Sequence, residues 1–255
     1  MVMVGSLTLP TSKSVIGFDA EWTKNYKIKN GNIPFCFSIV ALPYDDIDLH
    51  NLISGEMPFR YIQFYCENQE EVANLIVEAN ACINCFTESM RNSILCGHQL
   101  SSDLSVLINY AHFIGVDEIS SIEKLQARWH NRNEDCTSQI FDTRYDIYQD
   151  FLGKSRRLVD MSNDFLLDVS QPELGHSSMT KLHLNYLSKR DESIRERISV
   201  MNIRHSLCAA ILYYLNGCVS NGGSLQPINI NKILNYNLSH DFKWIESTTF
   251  RELVC

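Results

Sequence analysis

The residues with the clearest chemical potential are two acids, Asp19 and Glu21, at the end of the apolar segment 14–20. In a β-strand, residues two apart project to the same face, so the two carboxylates would lie side by side. Two like charges at that distance repel each other at a free-energy cost. Mg²⁺ or Mn²⁺ would remove this cost, because both ions select oxygen ligands. The pair is therefore interpreted as a metal site or, alternatively, as a solvated strand end without function.

A third acid, Asp103, follows a second apolar segment. Residues 93–97 end in glycine, and a polar stretch then leads into a predicted helix with Asp103 in its first turn. An acid at this position also interacts favourably with the helix dipole. The dipole explains Asp103 alone, but it does not explain the combination of Asp103 with the first pair.

Together the two motifs resemble a known family of nucleases. The segment 18–22 (FDAEW) is similar to Exo I of the DEDD superfamily of 3′-5′ exonucleases, closest to its RNase D and Werner-type branch. The segment 96–104 is similar to Exo II, in which a strand and a polar stretch precede a helix-borne aspartate. The resemblance implies a ribonuclease-H-like fold and two Mg²⁺ or Mn²⁺ ions held by Asp19, Glu21 and Asp103.

The third motif of that family is matched only in part. Exo III is a helix with Tyr-x-x-x-Asp or His-x-x-x-x-Asp, in which the first residue orients the attacking water and the aspartate is the fourth ligand. His205, in the predicted helix 202–217, matches the histidine, and the aspartate position falls on Ala209 or Ala210. We expect His205 to accept the proton of the water. The alternative is a packed core histidine.

The resemblance leaves the fourth ligand open. Asp142, at the end of the apolar segment 139–143, is the first candidate, although a turn-forming aspartate is the alternative interpretation. The site could also contain three carboxylates only, or have lost activity. An aspartate introduced at position 209 or 210 is expected to raise activity at low metal concentration. Other candidate ligands are Asp146, Asp160, Asp164 and Asp168.

A nucleic-acid groove requires positive charge, but the formal net charge of the chain is −8. Proteins that wrap long duplexes are usually basic, so we expect a short single-stranded end to bind at a local basic patch, or no nucleic acid at all. Candidate contacts are Arg156, Arg157 and Arg204, with Trp22 stacking on a terminal base. Each of the four has an alternative as a solvated or core residue.

The elements that must position these residues alternate between strands and helices. Apolar segments predict strands at 14–20, 34–42, 59–65, 93–97 and 139–143, with a long loop at 43–58. Helical patterns dominate later, at 157–167, 177–188, 191–199 and 202–217. We therefore expect an α/β fold, with a ribonuclease-H-like mixed sheet flanked by helices and a mostly helical C-terminal half. The predicted domain covers 1–218, and 219–255 is a tail of uncertain structure.

Composition narrows the class of protein. The sequence contains no run of about 18 apolar residues, so no membrane span is predicted. Its nine cysteines are scattered along the chain and do not suggest a disulfide framework. We expect an intracellular protein of the cytoplasm that does not bind membranes, with protein partners left open. The leading hypothesis is a metal-dependent 3′-5′ exonuclease acting on single-stranded DNA or RNA ends. The alternatives are an inactive exonuclease-like module that binds nucleic acid or a protein, or an unrelated α/β protein.

Overall fold

A mixed sheet of six strands organises the chain. The structure, a computed structural model, describes residues 1–7, 13–24, 31–89, 93–134, 139–147, 156–175 and 177–254. The strands are β1 (Val2–Ser6), β2 (Ser14–Thr23), β3 (Ile33–Pro43), β4 (Arg60–Tyr65), β5 (Ile94–Gly97) and β6 (Ile140–Asp142), in the order β1-β4-β3-β2-β5-β6. β2 pairs antiparallel with β3 and parallel with β5, and β5 pairs parallel with β6. The α/β class and the five predicted strands are confirmed, whereas β1 was not predicted.

Helices cover both faces of this sheet. They are α1 (Leu49–Ser54), α2 (Val72–Ser89), α3 (Leu100–Ile114), α4 (Ser120–His130), α5 (Thr143–Asp146), α6 (Leu158–Asp164), α7 (Met179–Lys189), α8 (Glu192–Ser220), α9 (Ile230–Leu238) and α10 (Thr248–Arg251). Along β2 the buried side chains alternate: Ile16, Phe18 and Ala20 join the core beneath α2, α3 and α4, while Val15 joins the core beneath α8 and α9. The odd-numbered residues of β2, including Asp19 and Glu21, therefore belong to the α8 side.

The central element of the second core is α8. The sequence predicted two helices at 191–199 and 202–217, but the chain forms one helix of 29 residues. By length and composition α8 could cross a membrane, yet 83% of its most apolar window is buried in the protein. It is the core helix against which the sheet packs. The predicted cytoplasmic location stays a prediction.

Gly17 allows α8 to approach β2 closely. A Cβ atom at Gly17 would lie 1.9 Å from the backbone oxygen of Ser206, which no side chain tolerates. At the same crossing the Ser206 hydroxyl donates to the backbone carbonyl of Ser38 on β3 at 3.1 Å. The hydroxyl oxygens of Ser38 and Ser206 are 2.7 Å apart. This contact fixes the part of α8 that precedes Ser206 beside the end of β2.

Two segments are more ordered than the sequence suggested. The segment 43–58, predicted as a loop, contains α1 and buries Leu52 and Met57 completely. The segment after residue 219 contains α9 and α10 and buries Phe242 and Phe250 in the α8 core. Its short strand β8 (Ile228–Asn229) pairs with β7 (Leu167–Asp168). The C-terminal segment is therefore packed against the α8 core, because it supplies apolar side chains that α8 needs as partners.

Candidate metal centre

Three side chains from β2 and α8 converge at the end of the sheet. One ligand atom from each of Asp19, Glu21 and His205 lies within 4.8 Å of the others. His205 Nδ1 is 3.2 Å from Glu21 Oε1 and 3.5 Å from Asp19 Oδ2. The expectation that the two acids share one face is confirmed, and His205 lies beside them as predicted. Such a group of two carboxylates and one imidazole could hold a metal ion.

Asn202, one turn before His205, holds Asp19 in place. Its Nδ2 donates to Asp19 Oδ2 at 2.7 Å and to the Asp19 carbonyl at 3.1 Å, and its side chain is fully buried. Sequence reasoning missed this residue. The available signal was its spacing, because residues three apart on a helix lie on the same face.

Asp103 lies against the same group from α3. Its side chain is buried, and its carboxylate accepts a hydrogen bond from the Ala20 amide. Its other oxygen, Oδ2, is buried without a hydrogen-bond partner among the described residues. Because a buried carboxylate oxygen without a donor is costly, this oxygen is suited to a cation. The sequence prediction that Asp103 joins the first pair agrees with this placement, although its oxygens are not within the 4.8 Å group.

The concentrated charge and the burial of the group shift the pKa values of Asp103, Glu21 and His205. Burial, and then the charges of Asp19 and Glu21, raise the pKa of Asp103 well above its usual value. Burial and the charge of Asp19 raise the pKa of Glu21, against a hydrogen bond with His205. Burial opposes the charged form of His205, but the charge of Asp19 and hydrogen bonds to both acids raise its pKa to about 10. The protonated His205 therefore neutralises part of the cluster.

The expected position of a fourth ligand on α8 is wrong. Ala209 and Ala210 are almost completely buried in the α8 core. The reason is the direction of the helix. Asn202 contacts Asp19, while Ser206 contacts Gly17, so the next turn lies beneath the earlier part of β2 and away from the acids. An aspartate at 209 or 210 would be an uncompensated charge in an apolar core, so we expect it to destabilise the fold in place of raising activity.

Asp142 has a structural role and is not placed as a ligand. Its two oxygens accept four hydrogen bonds, from the amides of Gln99, Leu100 and Arg144 and from Trp129 Nε1, at 2.9–3.0 Å. A carboxylate offers about four lone-pair positions, so all are occupied. The two bonds to Gln99 and Leu100 hold the turn that begins α3. Asp142 therefore positions the helix that carries Asp103.

The other candidate acids are also engaged elsewhere or face solvent. Asp146 forms an ion pair with Arg132, Asp160 pairs with Arg157, and Asp168 accepts from the amide and hydroxyl of Ser170. Asp164 is exposed on α6. The residues that line the cleft around the metal group include no acids other than Asp19, Glu21 and Asp103 within the described ranges.

The predicted nucleic-acid contacts divide into two groups. Trp22 lines the cleft directly after the acids, as expected. Arg204 is completely buried, where it pairs with Glu173 at 2.6 Å, so the prediction that it contacts a phosphate is wrong. Arg156 donates to the carbonyl of Arg144. Arg157 pairs with Asp160 on α6. Neither of these two lines the cleft.

The cleft contains several residues that sequence reasoning did not assign. Its volume is about 610 Å³. Burial, and then the charges of His205 and Arg144, lower the pKa of His98 to about 4, so this imidazole is neutral near pH 7. Among the described residues, the remaining members are mostly apolar or weakly polar, and Lys24 is the one lysine or arginine. They are Lys24, Gln99, Leu174, Ser178, Met179, Thr180 and Met201.

Gln171 holds the outer edge of the His205 ring. Its side-chain Nε2 lies 3.0 Å from His205 Nε2, on the side away from the acids. A metal on Nδ1 requires a proton on Nε2, and the Gln171 amide, turned by 180°, would accept that proton through Oε1.

We expect Gln171→Leu to weaken Mn²⁺ binding by about 10- to 100-fold, because partners behind a metal-bound histidine fix its ring and tautomer. Calorimetric titration with Mn²⁺ measures the change. Gln226→Leu, the same substitution at an exposed position, serves as the control. Equal affinities of the two variants would show that Gln171 does not orient His205 for a metal.

Comparison with known proteins identified no relative. No family model matches the chain, no curated protein matches it, and no solved structure matches it.

Proposed function

We propose that this protein is a metal-dependent 3′-5′ exonuclease that hydrolyses phosphodiester bonds at single-stranded DNA or RNA ends. One observation carries the proposal: Asp19, Glu21 and His205 converge within 4.8 Å, and Asp103, whose buried Oδ2 has no hydrogen-bond partner among the described residues, lines the same cleft. The sheet supports it further. Three antiparallel strands, β4-β3-β2, continue into β5 and β6 parallel to β2, with helices on both faces, as a ribonuclease-H-like fold requires.

The donor set fits divalent metal ions. Asp19, Glu21 and His205 would hold one ion, and Asp19 with Asp103 would hold a second. Ions in such positions activate water and stabilise the charge on the attacking and leaving oxygens. Carboxylates suit Mg²⁺ and Mn²⁺ alike, whereas imidazole suits the transition metals. With His205 among the ligands, we propose that Mn²⁺ binds more tightly than Mg²⁺.

The role that we propose for His205 differs from the general base expected from the sequence. In the metal-free protein His205 has a pKa of about 10 and is protonated near pH 7. An ion between the two acids would displace the proton on Nδ1, and the remaining proton would lie on Nε2 beside Gln171, so that neither nitrogen is free to accept a proton from water. We therefore propose His205 as a metal ligand in place of the general base expected from the sequence. The other imidazole among the described residues of the cleft is the neutral His98, whose Nδ1 is hydrogen-bonded to Thr143 Oγ1 at 2.9 Å.

Three features of the cleft suit a nucleic-acid strand. The N-terminus of α7, where Ser178, Met179 and Thr180 line the cleft, provides the positive end of a helix dipole. Lys24 adds a full positive charge at the opening, where its backbone amide donates to Thr180 Oγ1 at 3.0 Å. Trp22 offers an aromatic surface to a base beside the acids.

Mn²⁺ binding should strengthen as pH rises. The folded-state pKa values of Asp103, Glu21 and His205 are all raised, so the metal-free fold binds extra protons and loses stability as pH rises through them. Metal must displace those protons, and each one displaced makes affinity rise about tenfold per pH unit. We expect Mn²⁺ to raise the melting temperature more at pH 8 than at pH 6. A stabilisation independent of pH would contradict this assignment of the ligands.

The proposed activity is tested with single-stranded DNA and RNA oligonucleotides labelled at the 5′ end. With Mn²⁺ we expect a ladder of products shortened from the 3′ end, and EDTA should abolish it. Absence of shortening of either substrate, with Mg²⁺ and with Mn²⁺, would overturn the proposal. Metal binding without cleavage would instead favour the inactive module.

A further inference from the structure

A second cavity, of about 150 Å³, lies beside the metal cleft. The two share the end of β2, because Trp22 and Lys24 line the cleft and Thr23 lines the cavity. They also share α7, where Thr180 faces the cleft and His183 faces the cavity one turn later. One helical turn advances about 5.4 Å, so a group bound in the cavity would sit one turn of helix from the cleft.

The cavity has an apolar floor and, among the described residues, one polar atom without a hydrogen-bond partner. Phe35 and His183 stack in parallel with centroids 3.9 Å apart, and Cys66 and Val72 complete the buried floor. Asn68 also lines the cavity, and its Oδ1 is buried without a hydrogen-bond partner among the described residues. A hydrogen bond between the Asn68 side chain and the Glu71 carboxylate fixes the amide orientation, because only Nδ2 can donate to it. Oδ1 is thus the acceptor of this cavity-lining side chain that still lacks a donor among the described residues.

We propose that this cavity binds a nucleobase of the substrate strand, next to the nucleotide whose phosphodiester lies in the metal cleft. Cavities of about 150 Å³ hold one aromatic ring, so a pyrimidine, or one of the two rings of a purine, would occupy this one against its apolar floor. A base carries the N–H donor that Asn68 Oδ1 needs, and leaving that acceptor unpaired is costly. Every base offers such a donor, so the site accepts bases without a strong sequence preference. This inference rests on the proposed exonuclease function.

Two variants test the cavity. Asn68→Leu removes the acceptor, and we expect the KM for a single-stranded oligonucleotide to rise about tenfold with kcat little changed, because the contact is remote from the reacting atoms. Leu187→Trp places an indole ring in the cavity from its rim and should have a similar or larger effect on KM. Asn163→Leu, the same substitution as the first at an exposed position of α6, should leave KM unchanged.

A binding measurement separates this inference from the proposed function. Adenosine is titrated into the metal-free protein while the side-chain NMR signals of His183 are followed. We expect saturable shifts in the wild type and none in Leu187→Trp. Wild-type hydrolysis of bis-p-nitrophenyl phosphate with Mn²⁺, a substrate without a base, reports on the metal site alone. An active metal site with unchanged KM in both cavity variants, or no His183 shifts with adenosine, would overturn the nucleobase pocket.

Discussion

Replacing Asp19 by Asn together with Glu21 by Gln should lower the rate of 3′ shortening by about a thousandfold or more. Asp19 would be a ligand of both proposed ions and Glu21 of one, and metal ions contribute several kcal/mol to stabilisation of the transition state. Each 1.36 kcal/mol corresponds to a factor of ten in rate. The measurement is single-turnover cleavage of a labelled oligonucleotide at saturating Mn²⁺.

The matched control is Asp117→Asn with Glu118→Gln, the same change at two exposed acids before α4. The control should cleave at the wild-type rate. Circular dichroism and thermal unfolding verify that the Asp19 and Glu21 variant is folded. If this variant is folded and still shortens the oligonucleotide, catalysis takes place elsewhere or in a contaminant.

The second large effect concerns stability. Arg204→Met should reduce the free energy of unfolding by about 3–5 kcal/mol, because it leaves Glu173 as a buried carboxylate without its partner. The Arg204 guanidinium donates to both Glu173 oxygens, at 2.6 and 2.7 Å, and to Asn231 at 3.0 Å. Urea unfolding measures the change. Adding Glu173→Gln to Arg204→Met should recover part of the loss, since it removes the buried charge.

Arg157→Met is the informative control, because the sequence assigned both arginines to nucleic acid. The Arg157 side chain is 78% exposed and pairs only with Asp160 among the described residues, so the unfolding midpoint should hardly change. If Arg204→Met unfolds like the wild type and instead weakens oligonucleotide binding, the buried pair with Glu173 is not formed as described.

The strands and the two acids of β2 were predictable from local pattern. Alternation places Asp19 and Glu21 on one face whatever the rest of the fold does, and a glycine followed by a polar stretch marks the start of α3. The local pattern does not show that α8 packs against the face of β2 that carries Asp19 and Glu21. The crossing of α8 at Gly17 depends on a close backbone contact between residues far apart in sequence.

Several site residues were assigned wrongly because the sequence does not reveal such contacts between distant residues. Ala209 and Ala210 were placed at the metals by counting along a helix, without the direction in which α8 crosses β2. Asp142 looked like a ligand because it ends a neighbouring strand, and only the structure shows that four donors surround it. Arg204 looked like a surface cation, because nothing local indicates its partner Glu173, 31 residues away.

The most direct test of the metal centre is anomalous diffraction from crystals of the protein soaked in Mn²⁺. We expect a strong peak between the side chains of Asp19, Glu21 and His205, and a second peak between Asp19 and Asp103. Asp103 Oδ2 should face that second ion. A well-ordered site without a peak at the acids, with Asp103 hydrogen-bonded to protein in place of metal, would contradict this assignment of the ligands.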